Sequence, residues 1–241
     1  MVLRREGDAV LAIGQASHAW ISGQLARAWA GIGPRREEVC LAAEQHDIGM
    51  SEWDRSPTLN PDTGLPHSFM EMPLALHLEL WTRAPAKLLS QSAYAALLVS
   101  MHGSALYERR DPDLPGVRAF LDSQRTLQDE LADAAGADRD ELRHHQRLIW
   151  TWDFLSLALC LDWVPTSIEG APVDGVGTTL ALGAGGVLDP WPFDGGAVEV
   201  QCEARRLDRT FGDEGEMRAA LSAAPVETLR FGLVRPAGRE V

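Results

Sequence analysis

The chain lacks several features that would each point to a particular class of protein. Its three cysteines, Cys40, Cys160 and Cys202, are far apart and form no Cys-x-x-Cys pair. We therefore expect neither a zinc–thiolate site nor a disulfide framework, and we expect a reducing, cytoplasmic location. There is no run of about 18 apolar residues, and no long apolar region follows the charges of the start MVLRREGDAV, so we expect neither a membrane span nor a signal peptide.

Basic charge is also scarce, because 22 Lys and Arg stand against 35 Asp and Glu and give a formal net charge of −13. Binding to a nucleic-acid backbone needs a basic stripe, and none is visible, so nucleic acid is not expected as a partner. A small phosphorylated substrate is still compatible with this charge, because a bound divalent cation inverts the local field. The hydrophobic fraction of 45% predicts a globular protein with a large core.

Apolar residues at helical spacing predict helices over residues 14–30, 34–49, 72–81, 87–107, 117–135 and 138–161. The irregular segment at residues 49–71 is predicted to be a lid or a binding loop. After Pro165, glycine-interrupted strand patterns appear, with a short helix at residues 214–223. These patterns predict a mainly α fold, with a helical metal-binding domain at residues 1–165 and a small β-rich C-terminal extension, residues 166–241, packed on it.

Metal-competent polar side chains interrupt the apolar helices. They are His18, His77, His102, Asp153 and the adjacent pair His46 and Asp47 in AEQHDIGMSEWD. Each one alone is more often an ordinary hydrogen-bonded residue, and Asp153 could pair with Arg147. A carboxylate buried between Trp152 and Phe154, however, costs several kcal/mol without a partner. Taken together, these side chains are the nitrogen and oxygen ligands that suit Fe, Mn, Zn, Co or Ni, and they predict one or two divalent metal ions.

The order H…HD…D on successive helices resembles the HD-domain superfamily, an all-helical, metal-dependent fold. The QHDIG centre with a following Trp, together with PWPF at residues 190–193, resembles an uncharacterised bacterial HD-like family. The resemblance covers about residues 10–165 and implies an HD-domain-like helical bundle. The metal ligands that it implies are His18, His46, Asp47 and Asp153, with His77 and His102 completing a dinuclear set. His67, His144 and His145 are alternatives to His77.

The resemblance implies a metal-dependent hydrolase that uses metal-activated water on a small, anionic, phosphorylated substrate. Asp47 would bridge the two metal ions. The side chains expected to orient ligands or to close over the site are Gln15, Gln45, Trp53, Asp54 and Arg55. Many superfamily members carry a lysine three residues after the aspartate, where this chain has Met50, and Arg55 or Arg83 could replace it.

Two other functions stay open on the same residues. A mixed-valent di-iron oxygenase of the HD type would use the same ligands on a small polyol or a phosphonate. A non-catalytic binding or sensor domain would keep the metal as a structural support, and its site would be coordinatively closed.

Overall fold

Helices and strands are mixed along the whole chain. The structure, a computed structural model, describes residues 1–108 and 113–238. It is 50% helical and 23% strand, with three sheets of four, two and three strands. The prediction of a mainly α, HD-like helical bundle is therefore wrong. Most of the strand residues follow Pro165, where strands were expected, and two further strands that were not expected precede the first helix.

The predicted helices are present, most of them with shorter bounds. The helices are α1 Gln15–Ala28, α2 Arg36–Gln45, α3 Ser51–Arg55, α4 Leu74–Arg83, α5 Ala93–Glu108, α6 Val117–Ala135, α7 Arg139–Leu161 and α8 Glu214–Ala223. The Asp138 carboxylate caps α7 by accepting from the backbone N–H of Asp140 and of Glu141, and Gly136 ends α6 in the left-handed conformation. Within the described ranges, no helix is both long enough and apolar enough to cross a membrane.

The largest sheet joins the two ends of the chain. The strands are β1 Val2–Glu6, β2 Ala9–Ile13, β3 Leu59–Asn60, β4 Leu65–Pro66, β5 Thr166–Val173, β6 Val176–Leu182, β7 Leu188–Asp189, β8 Ala197–Leu207 and β9 Val226–Val234. The four-stranded sheet has the order β1-β2-β8-β9, and β2 pairs with β8 with Val10 opposite Leu207. The division at residue 165 stays a prediction, although this sheet pairs strands from both sides of that position.

Helix α1 connects the sheet to the other helices, because it packs against α2, α7 and β8. Its approach to α2 depends on Gly23, where an added Cβ would lie 2.6 Å from the Cβ of Glu44. On another side, the ring of Trp29 packs edge-on against that of Trp152, with ring centroids 5.7 Å apart. Because α1 approaches α2 and α7 this closely, polar side chains that point inward from the three helices meet.

Candidate metal centre

Polar side chains from α1, α5, α7 and the end of α2 converge at one buried position. The residues are His18, His46, Asp47, His102 and Asp153, and we call them the histidine–aspartate cluster. His18, His46 and His102 are at most 1% exposed, Asp47 is 5% exposed, and the Asp153 side chain is 13% exposed. Two overlapping triads, His18/His46/Asp47 and His46/His102/Asp153, each place one possible ligand atom per residue within 4.8 Å of the others.

The end of α2 presents two adjacent side chains to the same cluster. Helix α2 ends at Gln45, His46 keeps a helical backbone, and Asp47 leaves the helix with φ −101° and ψ 17°. Gly49 is required just beyond, because an added Cβ there would lie 2.6 Å from the backbone oxygen of Leu80 on α4. The sequence HDIG thus turns the chain against the backbone of α4, and the side chains of His46 and Asp47 stay buried in the cluster.

Hydrogen bonds fix which nitrogen of His18 faces the cluster. The Ser156 hydroxyl donates to the backbone oxygen of Asp153 at 2.8 Å, so it is free to accept from Nδ1 of His18 at 2.9 Å. If Nδ1 carries the proton, Nε2 carries the lone pair, and it lies 2.7 Å from Oδ2 of Asp47. The same Asp47 oxygen accepts from Nε2 of Gln15 at 3.1 Å.

The orientation of His46 follows the same rule. Its Nδ1 donates to the backbone oxygen of Ala43 at 2.8 Å, because a carbonyl can only accept. Its Nε2 then points at Oδ1 of Asp153, 3.3 Å away, and at Oδ2 of Asp47, 3.8 Å away. This buried Nε2 has no hydrogen-bond partner. A lone pair directed at two carboxylates requires a proton or a metal ion between them.

His102 reaches the other side of the Asp153 carboxylate. Its Nε2 lies 3.6 Å from Oδ2 of Asp153, and its Nδ1 is buried without a hydrogen-bond partner. The imidazole of His102 packs near that of His46, with ring centroids 4.8 Å apart. Asp153 therefore uses one oxygen toward His46 and the other toward His102. A carboxylate placed between two imidazoles in this way could bridge two metal ions, which is the role expected of Asp47.

In the absence of a metal, the cluster holds a proton on His46. Burial opposes a charged imidazole, but the Asp47 and Asp153 carboxylates outweigh it and raise the pKa of His46 to about 9. Burial, together with the charge on His46, lowers the pKa of His102 to about 4. Burial acts to raise the pKa of both carboxyl groups, but the neighbouring imidazoles, His46 foremost, hold those pKa values below the ordinary range.

The spacing of these atoms suits a metal ion. Two ligands bound to one ion at about 2.1 Å are separated by about 3.0–3.4 Å when they subtend 90–109°. The facing nitrogen–oxygen pairs of the cluster are 2.7 to 3.8 Å apart. The second ring nitrogens of His18 and His46 donate to a hydroxyl and a carbonyl, as is usual for metal-bound histidines. The donor set therefore fits a divalent ion.

A cavity of about 150 Å³ opens onto the cluster. Its walls are Gln15, His18, Asp47, Phe69, Met70, His77, Trp81, His102, Leu106, Asp153 and Leu157. As the amide is oriented, Oε1 of Gln15 is buried without a hydrogen-bond partner at this edge of the cavity. Four cluster side chains, those of His18, Asp47, His102 and Asp153, are thus reachable from a space large enough for a small molecule.

His77 lies beside this cavity and is held in other contacts. Its Nε2 accepts from the indole N–H of Trp81 at 3.0 Å, and its Nδ1 is bonded to the Tyr107 hydroxyl. Trp81 packs over the ring of His102, and Gly103 leaves it room, because an added Cβ would lie 2.6 Å from the indole. In this arrangement His77 positions Trp81 in the wall, and both of its ring nitrogens take part in these two contacts.

The predicted lid residues lie elsewhere. Trp53 is buried on α3, and Gln45 is absent from the cavity walls. Asp54 caps α1 by accepting from the Gln15 backbone N–H, and Asp54 and Arg55 line a second, larger cavity of about 380 Å³. Phe69 and Met70 line the cavity at the cluster and were not among the predicted site residues; their only signal in the sequence is an apolar pair between Ser68 and Glu71.

The expected anion anchors are also absent from the cavity walls. Met50 is fully buried in the core, and Arg83 pairs with Glu79 at 2.6 Å on the surface of α4. Of the residues that the structure describes, no lysine or arginine lines the cavity at the cluster. A negatively charged molecule in this cavity would therefore meet no lysine or arginine side chain of the walls.

The alternative histidines are bonded away from the cluster. His67 is bonded to Thr58, with its Nδ1 2.9 Å from the hydroxyl. His145 is bonded to the Tyr94 hydroxyl at 2.8 Å, and the ring of His144 packs against that of His145.

Comparisons with known proteins test the resemblance stated above. No curated protein and no solved structure matches this chain. Membership of the HD-domain superfamily is wrong, because the matching family is a different one and the structure combines three sheets with its helical part. The chain matches over residues 1–209, and therefore belongs to, the family described as "Protein of unknown function (DUF3891)".

Proposed function

We propose that the histidine–aspartate cluster binds divalent metal ions and that the protein is a metal-dependent hydrolase of a small phosphorylated molecule. The observation that carries this proposal is the Nε2 atom of His46. The Ala43 carbonyl fixes Nδ1 as the donor, so Nε2 faces two buried carboxylates, and only a proton or a metal ion can lie between them. Inside a protein, such an arrangement is costly unless a cation completes it.

Four residues would hold the first ion: His18, His46, Asp47 and Asp153. His102 and the second oxygen of Asp153 would hold another ion at the cavity side. Bound metal lowers the pKa of a coordinated water and polarises a phosphoryl oxygen. Nε2 of Gln15 holds the Asp47 carboxylate in place, and its free Oε1 can accept a hydrogen bond from the attacking water.

Charge balance favours two ions for a phosphate ester. The cluster supplies two carboxylates and neutral imidazoles, so one divalent ion makes it neutral and two give it a net charge of about +2. A phosphate monoester carries close to two negative charges at neutral pH. Because no lysine or arginine among the described residues lines the cavity, the second ion would supply the balancing charge.

The proposal includes a small anionic substrate and a cytoplasmic location. The location is supported by the cysteines, all three of which are buried as free thiols, as expected in a reducing compartment. We propose neither nucleic acid nor an anionic membrane surface as a partner, because the net charge of −13 disfavours binding to either.

The test is phosphate release from a panel of small phosphorylated compounds by protein loaded in turn with Mn, Fe, Co, Ni or Zn. His46→Ala is the inactivating variant, and His67→Ala, at a histidine bonded to Thr58 outside the cluster, is its matched control. We expect at least one metal to support release, and we expect the activity to be lost in His46→Ala and kept in His67→Ala.

Two other outcomes would replace the proposal. Oxygen consumption by the iron-loaded protein with a polyol or a phosphonate, without phosphate release from esters, would make it a di-iron oxygenase. Metal binding with neither activity would leave a metal-stabilised binding or sensor domain.

A further inference from the structure

We infer that the substrate is a compact phosphate ester with a short, apolar organic group, and that Phe69 and Met70 select for that group. This inference rests on the proposed function and narrows its substrate class. It comes from three properties of the cavity at the cluster, namely its size, the chemistry of its walls and the segment that covers it.

The size of the cavity excludes large substrates. Sites for drug-sized ligands commonly have volumes of about 300–1,000 Å³. The cavity at the cluster has about 150 Å³, less than half the volume of the second cavity beside Asp54 and Arg55. A phosphoryl group at the metal ions leaves room inside for only a few carbon atoms, so most of a nucleotide would lie outside the cavity.

The walls away from the cluster are mostly apolar. They consist of Phe69, Met70, Trp81, Leu106 and Leu157. His77 also lines this side, but both of its ring nitrogens are engaged, one by the Trp81 indole and one by the Tyr107 hydroxyl. A substrate hydroxyl on this side would lose its hydrogen bonds to water without replacement, and that loss disfavours sugar and polyol phosphates.

A short turn between β4 and α4 forms the mouth of the cavity. The Glu71 carboxylate closes the turn by accepting from the backbone N–H and the hydroxyl of Ser68, both at 2.9 Å. Phe69 is tied down by its backbone N–H, which donates to the backbone oxygen of Met1 at 2.9 Å. Met70 lines the cavity and is nevertheless 65% exposed, so it lies at the opening. A large apolar side chain at this point contacts what enters.

The test compares pairs of ligands that differ only in two hydroxyl groups. Propylphosphonate and (2,3-dihydroxypropyl)phosphonate cannot be hydrolysed to phosphate and alcohol. Their binding to the manganese-loaded protein is measured by calorimetry. Propyl phosphate and glycerol 3-phosphate measure phosphate release. An apolar pocket discriminates against one added hydroxyl by up to about a hundredfold, so we expect the propyl compound to be favoured at least about tenfold in each pair.

Met70→Gln tests the selecting residue, because it keeps the length of the side chain and makes its end polar. We expect this variant to reduce the preference for the propyl compounds several-fold. Leu89→Gln is the matched control, since Leu89 is also an exposed apolar residue, at 47%, and lies outside the cavity walls. It should keep the full preference. Thermal unfolding of both variants verifies that they are folded. Because Met70 is exposed, we expect Met70→Gln to unfold at the same temperature as the wild type.

Failure of the inference and failure of the proposed function give different results. In protein whose manganese content is verified, equal binding of the two phosphonates, tighter binding of the dihydroxypropyl compound, or binding of neither would overturn the apolar substrate class, whereas protein that takes up no manganese would overturn the proposed function. A clear preference for propylphosphonate, with no phosphate released from propyl phosphate, would support the ligand class while removing the hydrolase function.

Discussion

His46 and His145 are both fully buried histidines, yet their surroundings are opposite in kind. His145 lies between neutral groups, the Tyr94 hydroxyl at 2.8 Å and the backbone oxygen of Ile32 at 3.3 Å. Burial lowers its pKa to about 4, so it is a neutral core residue at physiological pH. The free nitrogen of His46 faces the carboxylates of Asp47 and Asp153 instead. Burial alone therefore does not mark a ligand, whereas a lone pair held toward carboxylates does.

Removal of the Asp153 charge tests whether the carboxylates make the surroundings of His46 a metal site. We expect Asp153→Asn to weaken metal binding by more than about a hundredfold, because the change removes an anionic ligand that faces both His46 and His102. Competition calorimetry with a chelator would measure the affinity. Asp140→Asn, at an exposed position on the same helix, is the control and should bind metal like the wild type. Equal affinities in the two variants would exclude Asp153 as a ligand.

A smaller loss is expected when the support of His18 is removed. Ser156→Ala deletes the hydroxyl that accepts from Nδ1 of His18, so the ring loses its fixed tautomer. Removal of such supporting partners typically lowers metal affinity about 10- to 100-fold. The same calorimetric assay applies, and Ser123→Ala, at a hydroxyl that bonds to Phe120 on α6, is a matched control. An unchanged affinity in Ser156→Ala would show that His18 does not need this bond to bind metal.

The pH dependence of metal binding follows from the proton on His46. The metal must displace this proton, and the pKa of His46 without metal is raised to about 9. We therefore expect the apparent affinity to rise about tenfold per pH unit from pH 7 to about pH 9 and then to level off. Calorimetry at pH 7, 8 and 9.5 would measure this rise. An affinity that does not change over this range would contradict the assigned tautomer and charge.

The metal-free protein should show the opposite trend in stability. Because the folded-state pKa of His46 lies above its ordinary value of 6.5, the stabilisation is complete below about pH 6.5 and is lost as the pH rises through about 9. Thermal unfolding of chelator-treated protein across this range should give a falling midpoint, and added metal should remove the trend.

The smallest effect on metal binding is expected from a substitution of His145, the buried histidine outside the cluster. His145→Phe leaves the Tyr94 hydroxyl and the Ile32 carbonyl without their partner and should cost about 1–3 kcal/mol in the free energy of unfolding. Metal content should stay at the wild-type level, because this histidine faces no carboxylate of the cluster. Chemical denaturation and metal analysis of the same preparation would measure both quantities. Loss of metal in this variant would contradict the distinction between the two regions.

The helices could be predicted from the sequence, and most of the strand pairing could not. Helix α6 has the predicted bounds 117–135, because its apolar spacing and its flanking glycines are local signals. Strand β2 pairs with β8, nearly 200 residues away, and no local pattern at the start of the chain indicates that partner. The N-terminal hairpin itself is local, and its two-residue turn Gly7–Asp8 was a signal that the prediction did not use.

The site was predictable to a similar degree. Polar residues inside apolar helices identified the five side chains that the structure brings together, although their role as metal ligands stays a prediction. For His77, the sequence did hold a signal, because Trp81 lies one helical turn later, where its indole can bond the imidazole. Asp54 and Arg55 face the second cavity because of the side of α1 on which the short helix α3 packs. Tertiary contacts decide that side, so the local sequence does not indicate it.

The central claim is that the histidine–aspartate cluster holds metal, and metal content measures it most directly. Mass spectrometry on protein purified without an affinity tag would compare the wild type with the His46→Ala/Asp47→Ala double variant. If the cluster holds metal, we expect one to two equivalents of a divalent ion in the wild type and nearly none in the double variant. A wild type that stays metal-free after reconstitution, or a double variant that keeps its metal, would contradict it.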